Sequence, residues 1–256
     1  MIIDTHAHYD DESFDSDRDS LLMGMKEHGV ERIVTVGANI ATSRAALELA
    51  EKYSFLYAAV GVHPSDVTEL DEEKINWLKA VAKQEKVVAI GEIGLDYHYD
   101  EPEPELQKEW FIRQLALARE VTLPVIIHSR EAAEDTLSLM KEYHAEEIGG
   151  VVHCFSYSPE MAEEYVKMGF YIGIGGVCTF KNAKKVKEVV KKVPLERIVL
   201  ETDCPYLAPE PNRGKRNNSM NLIYVAREIA ALRGIPEEEV IQKTRENALS
   251  LYHMKN

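Results

Sequence analysis

His6 and His8 stand two residues apart where the apolar run Met1-Ile2-Ile3 continues through Asp4-Thr5. On a strand, residues i and i+2 point the same way, so both imidazoles could grip one cation from one side. Four further apolar runs lead into residues of ligand type. Val87–Gly91 meets Glu92, Pro124–Ile127 meets His128, Gly149–Val152 meets His153, and Ile198–Leu200 meets Glu201-Thr202-Asp203. Each alone has an ordinary reading: a buried histidine can cap a carbonyl, and Glu92 or Asp203 could pair with an arginine. Together they point to a metal-dependent hydrolase. Four histidines and two or three carboxylates exceed what one tetrahedral zinc needs. A carboxylate shared by two clusters suits a binuclear centre, with ions about 3.5–4 Å apart. Imidazole-rich donors favour Zn, Mn, Ni or Fe over Mg, which prefers oxygen. The two expected divalent ions are drawn from Zn, Mn, Mg, Ni or Co.

Those residues need elements that bring them to one place. Eight runs rich in Val and Ile recur along the chain: Ile2–Asp4, Arg32–Val36, Leu56–Val60, Val87–Gly91, Pro124–His128, Gly149–His153, Tyr171–Gly175 and Ile198–Thr202. They lack clean polar alternation, as strands buried on both faces do. Helical patterns fill the gaps at Ser16–Glu27, Ile40–Lys52, Glu72–Gln84, Glu105–Glu120, Arg130–Tyr143, Pro159–Met168 and Asn182–Val193. Ser158-Pro159 reads as an N-cap with a first-turn proline, and Gly29 and Gly169 as C′ glycines. The repeat predicts an α/β fold, a (β/α)₈ TIM barrel, with extra C-terminal helices near Met220–Leu232 and Pro236–Tyr252. In such a barrel the C-terminal strand ends open onto one face, where the active site sits. An open doubly wound sheet would instead place a ligand at a strand-order switch. No linker or composition break divides the chain, so a single domain over residues 1–256 is expected.

The formal net charge of −14 argues against tight nonspecific binding of long duplex DNA. Three cysteines, Cys154, Cys178 and Cys204, form no metal or disulfide pattern. With no basic and apolar leader and no run approaching the ~18 residues of a membrane span, a cytoplasmic protein is expected. Either a monomer or a weak dimer is compatible with the sequence.

The motifs Asp4-Thr5-His6-Ala7-His8, Gly61-Val62-His63-Pro64, Gly91-Glu92-Ile93-Gly94-Leu95-Asp96-Tyr97 and Ile127-His128-Ser129-Arg130 run through the first half of the chain. His153-Cys154-Phe155-Ser156, Glu201-Thr202-Asp203-Cys204-Pro205 and Arg213-Gly214-Lys215-Arg216-Asn217 complete the set. As a whole it resembles the TatD family of metal-dependent deoxyribonucleases, within the amidohydrolase-like superfamily. The resemblance implies that His6, His8 and Asp203 hold one metal, His128 and His153 a second, and Glu92 bridges them. Related proteins often use a carbamylated lysine where this chain has Glu92. Glu201 could be a further ligand or could orient one. After Arg216-Asn217 many relatives carry Glu-Pro, whereas this chain has Asn218-Ser219. That departure bears on the substrate contacts of the loop and leaves the metal residues in place.

The activity so implied is phosphodiester cleavage by a metal-bound hydroxide, trimming single-stranded or end-exposed DNA from the 3′ side. Asp203 and Glu92 are the catalytic residues, with Asp203 as general base. His63, Arg130, Arg213, Lys215 and Arg216 follow strand ends and could meet charge on the phosphoryl oxygens. The word DNA comes from the resemblance, not from spacing. The same site could instead serve an ester, lactone or aminoacyl-tRNA substrate, or the metals could hold a non-enzymatic scaffold.

Other features read as structural. The lysine-rich Lys181–Lys192 segment has an apolar valine face and suits an exterior amphipathic helix. Gly173-Ile174-Gly175-Gly176 reads as strand glycines that permit close packing. Trp77 and Trp110 read as core, and Cys154 and Cys204 as structural. Leu95–Pro104 could border the mouth, with Tyr97 stacking on a base or packing the border itself.

Overall fold

The computed structural model describes all 256 residues. Eight strands form one parallel sheet in chain order: β1 (Ile2–Ala7), β2 (Val30–Val36), β3 (Leu56–Val60) and β4 (Val87–Asp96), then β5 (Val125–Arg130), β6 (Gly150–Val152), β7 (Tyr171–Ile174) and β8 (Ile198–Leu200). Helices fill every gap: α1 (Arg18–Met23), α2 (Ile40–Lys52), α3 (Glu72–Val81), α4 (Pro104–Val121), α5 (Ala133–Glu142), α6 (Pro159–Lys167) and α7 (Lys184–Lys192). Two more, α8 (Leu222–Arg233) and α9 (Glu237–Leu251), follow β8. The seam between β8 and β1 is closed by few bonds. Asp203 N donates to His6 O at 2.9 Å, His8 N donates to Cys204 O at 2.8 Å, and Ala7 bridges Cys204. The barrel is thus nearly closed, and its closing bonds tie the first and last putting-together of ligand-type residues, His6, His8 and Asp203.

Alternate strand residues enter two separate clusters, as period-2 geometry requires. Ile127, Ile172, Ile174, Ile198 and Leu200 join the 55-residue cluster that also takes Leu47, Leu78 and Phe111 from the surrounding helices. Ile126, Val151 and Val199 join a 13-residue cluster with Ile3, Val34 and Val36. This second cluster is the barrel interior. The chain seals its lower end with Leu249, Leu251 and Tyr252, whose hydroxyl donates to Thr5 O at 2.8 Å. Asn247 Nδ2 bonds Leu195 O and Ile198 O, each at 2.7 Å, and holds α9 across the start of β8.

Several bounds differ from the sequence reading. β4 runs on to Asp96 because Ile93–Asp96 pairs with Ile127–Arg130 of β5. The expected mouth segment therefore begins as strand, and Tyr97 packs, its hydroxyl donating to Asp135 Oδ2 at 2.8 Å. Arg130 ends β5 rather than opening a helix, since α5 starts at Ala133. The first helix shrinks to Arg18–Met23, followed by a short 3₁₀ turn over Lys26–His28. On α7, Val186, Val189 and Val190 are buried while Lys187 pairs with Glu228 at 2.8 Å, as on an exterior amphipathic helix. Trp77 and Trp110 are half-buried against the larger cluster. No helix is long and apolar enough to cross a membrane.

Candidate metal centre

Three of the site residues sit two positions beyond interior apolar residues: His128 after Ile126, His153 after Val151, and Glu201 after Val199. They inherit the inward direction. The ladder carries on to hold them, with His153 N donating to Ile127 O at 3.0 Å and Glu201 N to Ile174 O at 3.2 Å. β1 and β4 need a different device. Ile3 and Ala89 face inward, so simple alternation would turn His6, His8 and Glu92 outward. In β1 the pairing runs from Asp4↔Ile33 to Ala7↔Thr35, and in β4 from Ile90↔Val125 to Ile93↔Ile127. Each strand thereby gains one residue over its partner. Such bulges re-aim side chains, and here they bring His6, His8 and Glu92 into the interior. Gly94, at φ +146, sits just past the β4 shift, and a Cβ there would fall 1.9 Å from His128 O.

Glu92 is the hub. Its Oε2 faces His6 Nε2 at 3.5 Å and His8 Nε2 at 3.9 Å. Its Oε1 faces His153 Nε2 at 2.6 Å and His128 Nδ1 at 2.7 Å. Asp203 Oδ1 lies 3.4 Å from His8 Nε2 and 3.7 Å from His6 Nε2. The His6 and His153 rings stack at 4.1 Å and join the two halves. Supporting groups orient the rings. His8 Nδ1–H donates to Val36 O at 2.9 Å, and His128 Nε2–H donates to Asp96 Oδ2 at 2.9 Å. Each leaves the other nitrogen turned toward the carboxylates, the usual arrangement around a metal-ligating histidine.

Charge is finely divided here. Burial alone would push Glu92 up, but His153, His128 and His6 hold it well below the usual carboxylate range. Burial opposes protonation of His8, yet Asp203 and Glu92 outweigh it and raise it to about 9. His128 is likewise raised to about 9 against burial, by Asp96 and Glu92. Burial and the neighbouring His153 lower His6 to about 4. Glu201 is pushed up to about 8, chiefly by burial and then by Asp203.

These residues fit divalent cations. Ring nitrogens face one another at 3.1 Å (His6 Nε2 and His8 Nε2) and 3.2 Å (His128 Nδ1 and His153 Nε2). Excess protons gather where carboxylates concentrate negative potential, and metal binding displaces such protons. His6 Nδ1, His153 Nδ1 and Glu201 Oε2 are buried without a hydrogen-bond partner. His6, His8 and Asp203 form one compact donor set; His63, Glu92 and His128 form another; Glu201 makes a third with His6 and His153.

A cavity of about 650 Å³ opens above these groups. His63 and Arg130 line it, and His63 Nε2 lies 3.8 Å from Glu92 Oε1. Burial lowers His63 to about 4. The loop cations are placed elsewhere. Arg213 stacks on Phe180 at 4.2 Å, Lys215 is exposed, and Arg216 pairs with Asp17 at 2.6 Å; none of the three lines the cavity. Arg216 also lies over Phe14, so its guanidinium is committed to packing the loop on the first turn of the chain. Cys154 lines the cavity at φ +45, and its N–H donates to Glu201 Oε1. Gly173 makes room for that carboxylate, since a Cβ would lie 2.3 Å from Glu201 Oε2.

Two supporting acids escaped the sequence reading. Asp96 shares a strand face with Glu92 four residues earlier, a signal that was available. Asp4 is buried; it accepts from His6 N at 3.2 Å, Thr202 Oγ1 at 2.6 Å and Ser219 Oγ at 2.6 Å. Ser219, part of the Asn218-Ser219 departure, thus reaches the site's support through Asp4.

Fold and site define a barrel hydrolase of the amidohydrolase-like class, dependent on metal. The model of TatD related DNases matches residues 3–253, and the chain belongs to the TatD family. It is 50% identical over 254 residues to an uncharacterized metal-dependent hydrolase, YabD of Bacillus subtilis (strain 168), covering 99% of this chain and 100% of that protein. It is 34% identical to the 3′-5′ ssDNA/RNA exonuclease TatD of Erwinia tasmaniensis, covering 94% of this chain and 95% of that one. The crystal structure of YJJV, a TatD homolog from Escherichia coli K12, superposes with a TM-score of 0.93 at 34% identity, covering 99% of this chain and 98% of that one.

Proposed function

We propose that residues 1–256 form a single phosphodiesterase domain that trims the 3′ ends of single-stranded DNA or RNA with two divalent ions. The observation that carries this reading is Glu92, whose two oxygens face two separate histidine pairs. In this reading His6, His8 and Asp203 hold one ion, His128 and His153 the other, and Glu92 both. When bound, two such cations acidify a water and draw charge from a scissile phosphate. Asp203 acts as general base. Its side chain is 18% exposed against 5% for Glu92, so it is the carboxylate that water can reach. Its Oδ1 faces His6 and His8, leaving Oδ2 to accept the proton. Arg130, at the rim, neutralises a non-bridging phosphoryl oxygen, and His63, held neutral by burial, donates a hydrogen bond to it. The net charge of −14 repels long duplex, whereas a chain end can enter a cavity of about 650 Å³. The 34% identical TatD exonuclease of Erwinia tasmaniensis supports the polarity and the nucleic-acid substrate.

The test is metal-stripped protein resupplied with Mg, Mn, Zn, Ni or Co, given 3′- and 5′-labelled single strands beside a chromogenic ester. Metal-restored shortening from the 3′ end, lost in Glu92→Ala, is the expected result. Ester turnover with intact oligonucleotide under every metal would overturn the substrate assignment.

A further inference from the structure

Five large hydrophobic side chains are exposed: Met1, Met23, Tyr99, Tyr206 and Leu207. Two of them, Tyr206 and Leu207, stand side by side at the mouth of the cavity. Tyr99 lies 5.6 Å from Arg130, which also lines it. Apolar groups left in water forgo burial, and their clustering around a cavity marks a ligand surface. The backbone is built to present them. Leu207 sits at φ +53, a conformation bulky residues rarely adopt. Its carbonyl presses on Gly176, where a Cβ would come within 2.1 Å. Tyr206 is steadied by its hydroxyl, which donates to Asp11 Oδ2 at 3.1 Å.

Phe155 and Val177 line the same cavity. They follow β6 and β7, the two strands that precede β8 in the sheet, so with Tyr206 and Leu207 they give the rim an apolar sector on the side of Asp203. Around the rim, Asp10 and Asp11 follow β1 and carry charge that repels phosphate. Arg130 ends β5, three strands round the barrel from β8, and is the cation a phosphate backbone would meet.

Building on the nuclease reading above, we infer that the Tyr206–Leu207 sector is a subsite for the terminal nucleobase. The base stacks there, the scissile phosphate lies over Glu92 and Asp203, and the remaining strand leaves toward Arg130. Hydrocarbon and phenol faces stack on any base without reading its edges. The subsite therefore senses that a base is present and is indifferent to which one.

The experiment compares metal-loaded protein on two single strands, identical except that one ends in a 3′ abasic residue. The expected kcat/KM ratio, normal over abasic, is roughly tenfold or more, as loss of one stacked base implies. It falls toward one in Tyr206→Ala/Leu207→Ala, and the four normal 3′ bases differ little. Tyr206 is 55% and Leu207 38% exposed, and neither belongs to the buried core, so the variant keeps its thermal transition; the single variants serve if the double does not fold. As a readout without turnover, 2-aminopurine ending a phosphorothioate strand is quenched by the natural protein and not by the variant. A wild-type ratio near one, or a ratio unchanged by the substitutions, overturns the subsite while the nuclease stands. If no oligonucleotide is cut under any metal, the nuclease reading fails and the subsite falls with it.

Discussion

The two ends of the barrel interior are made from the same strands and have opposite chemistry. At the lower end Ile3, Val34, Val151 and Val199 meet Leu249, Leu251 and Tyr252, and the Tyr252 hydroxyl is satisfied by Thr5 O. At the upper end, two to five residues further along each strand, the interior holds Glu92, Glu201, Asp203 and four histidines, with three buried polar atoms lacking partners. An unsatisfied buried polar group costs about 1–3 kcal/mol, whereas a fully buried Leu side chain contributes about 1.5–3 kcal/mol. The hydrocarbon end stabilises the scaffold on which the ionisable end can be held unsatisfied. Stability and chemistry are separated along the barrel axis by about one strand repeat.

That contrast can be broken most severely at Glu92. Glu92→Ala should lower metal-restored turnover by roughly a thousandfold or more, since it removes the group shared by both histidine pairs. Unchanged turnover in that variant would mean the upper end is not where reaction occurs. Leu251→Ala should do the reverse. It should cost about 2–5 kcal/mol in a urea melt with constant slope, while kcat per folded molecule holds. A matching fall in kcat would show that the two ends are not independent. Divalent ions should act on the upper end alone, stabilising the protein by about 2.7 kcal/mol at a hundred times Kd. Calorimetry should find this gain reversed by chelator and absent in Glu92→Ala. Asp96→Asn should weaken metal affinity by about 10–100-fold, because the side chain loses its charge and keeps one acceptor oxygen where His128 and His98 N now use two. Titration would detect this, and excess metal should recover most of kcat. The smallest effect is expected at the lower end: Tyr252→Phe should cost about 1 kcal/mol and leave metal affinity untouched.

How far the site could be read from the sequence differs strand by strand. On β5, β6 and β8 the inward residues Ile126, Val151 and Val199 lie two positions before His128, His153 and Glu201, so period-2 alternation alone places the polar groups. On β1 and β4 the same rule, applied from Ile3 and Ala89, turns His6, His8 and Glu92 the wrong way. A bulge is a mismatch between two strands, and one strand's sequence does not contain it. Asp96 shares its face with Glu92 only if the strand runs past Gly91, where the apolar run stops, and pairing with β5 is what carries it on. Arg216 reads as a candidate phosphate contact because Asp17, the partner it takes, lies 199 residues away in sequence.

The rhythm of eight runs rich in Val and Ile, the helices between them and the ligand-type residues at the run ends are all written locally in the chain. These are local properties, set by side-chain periodicity and backbone preference within a few residues. Packing of the whole barrel is what turns one Glu92 oxygen to each histidine pair, sets Asp4 and Asp96 behind the site, and stands Tyr206 and Leu207 at the mouth. Those outcomes depend on register and barrel closure, which are fixed by pairing between segments far apart in the chain.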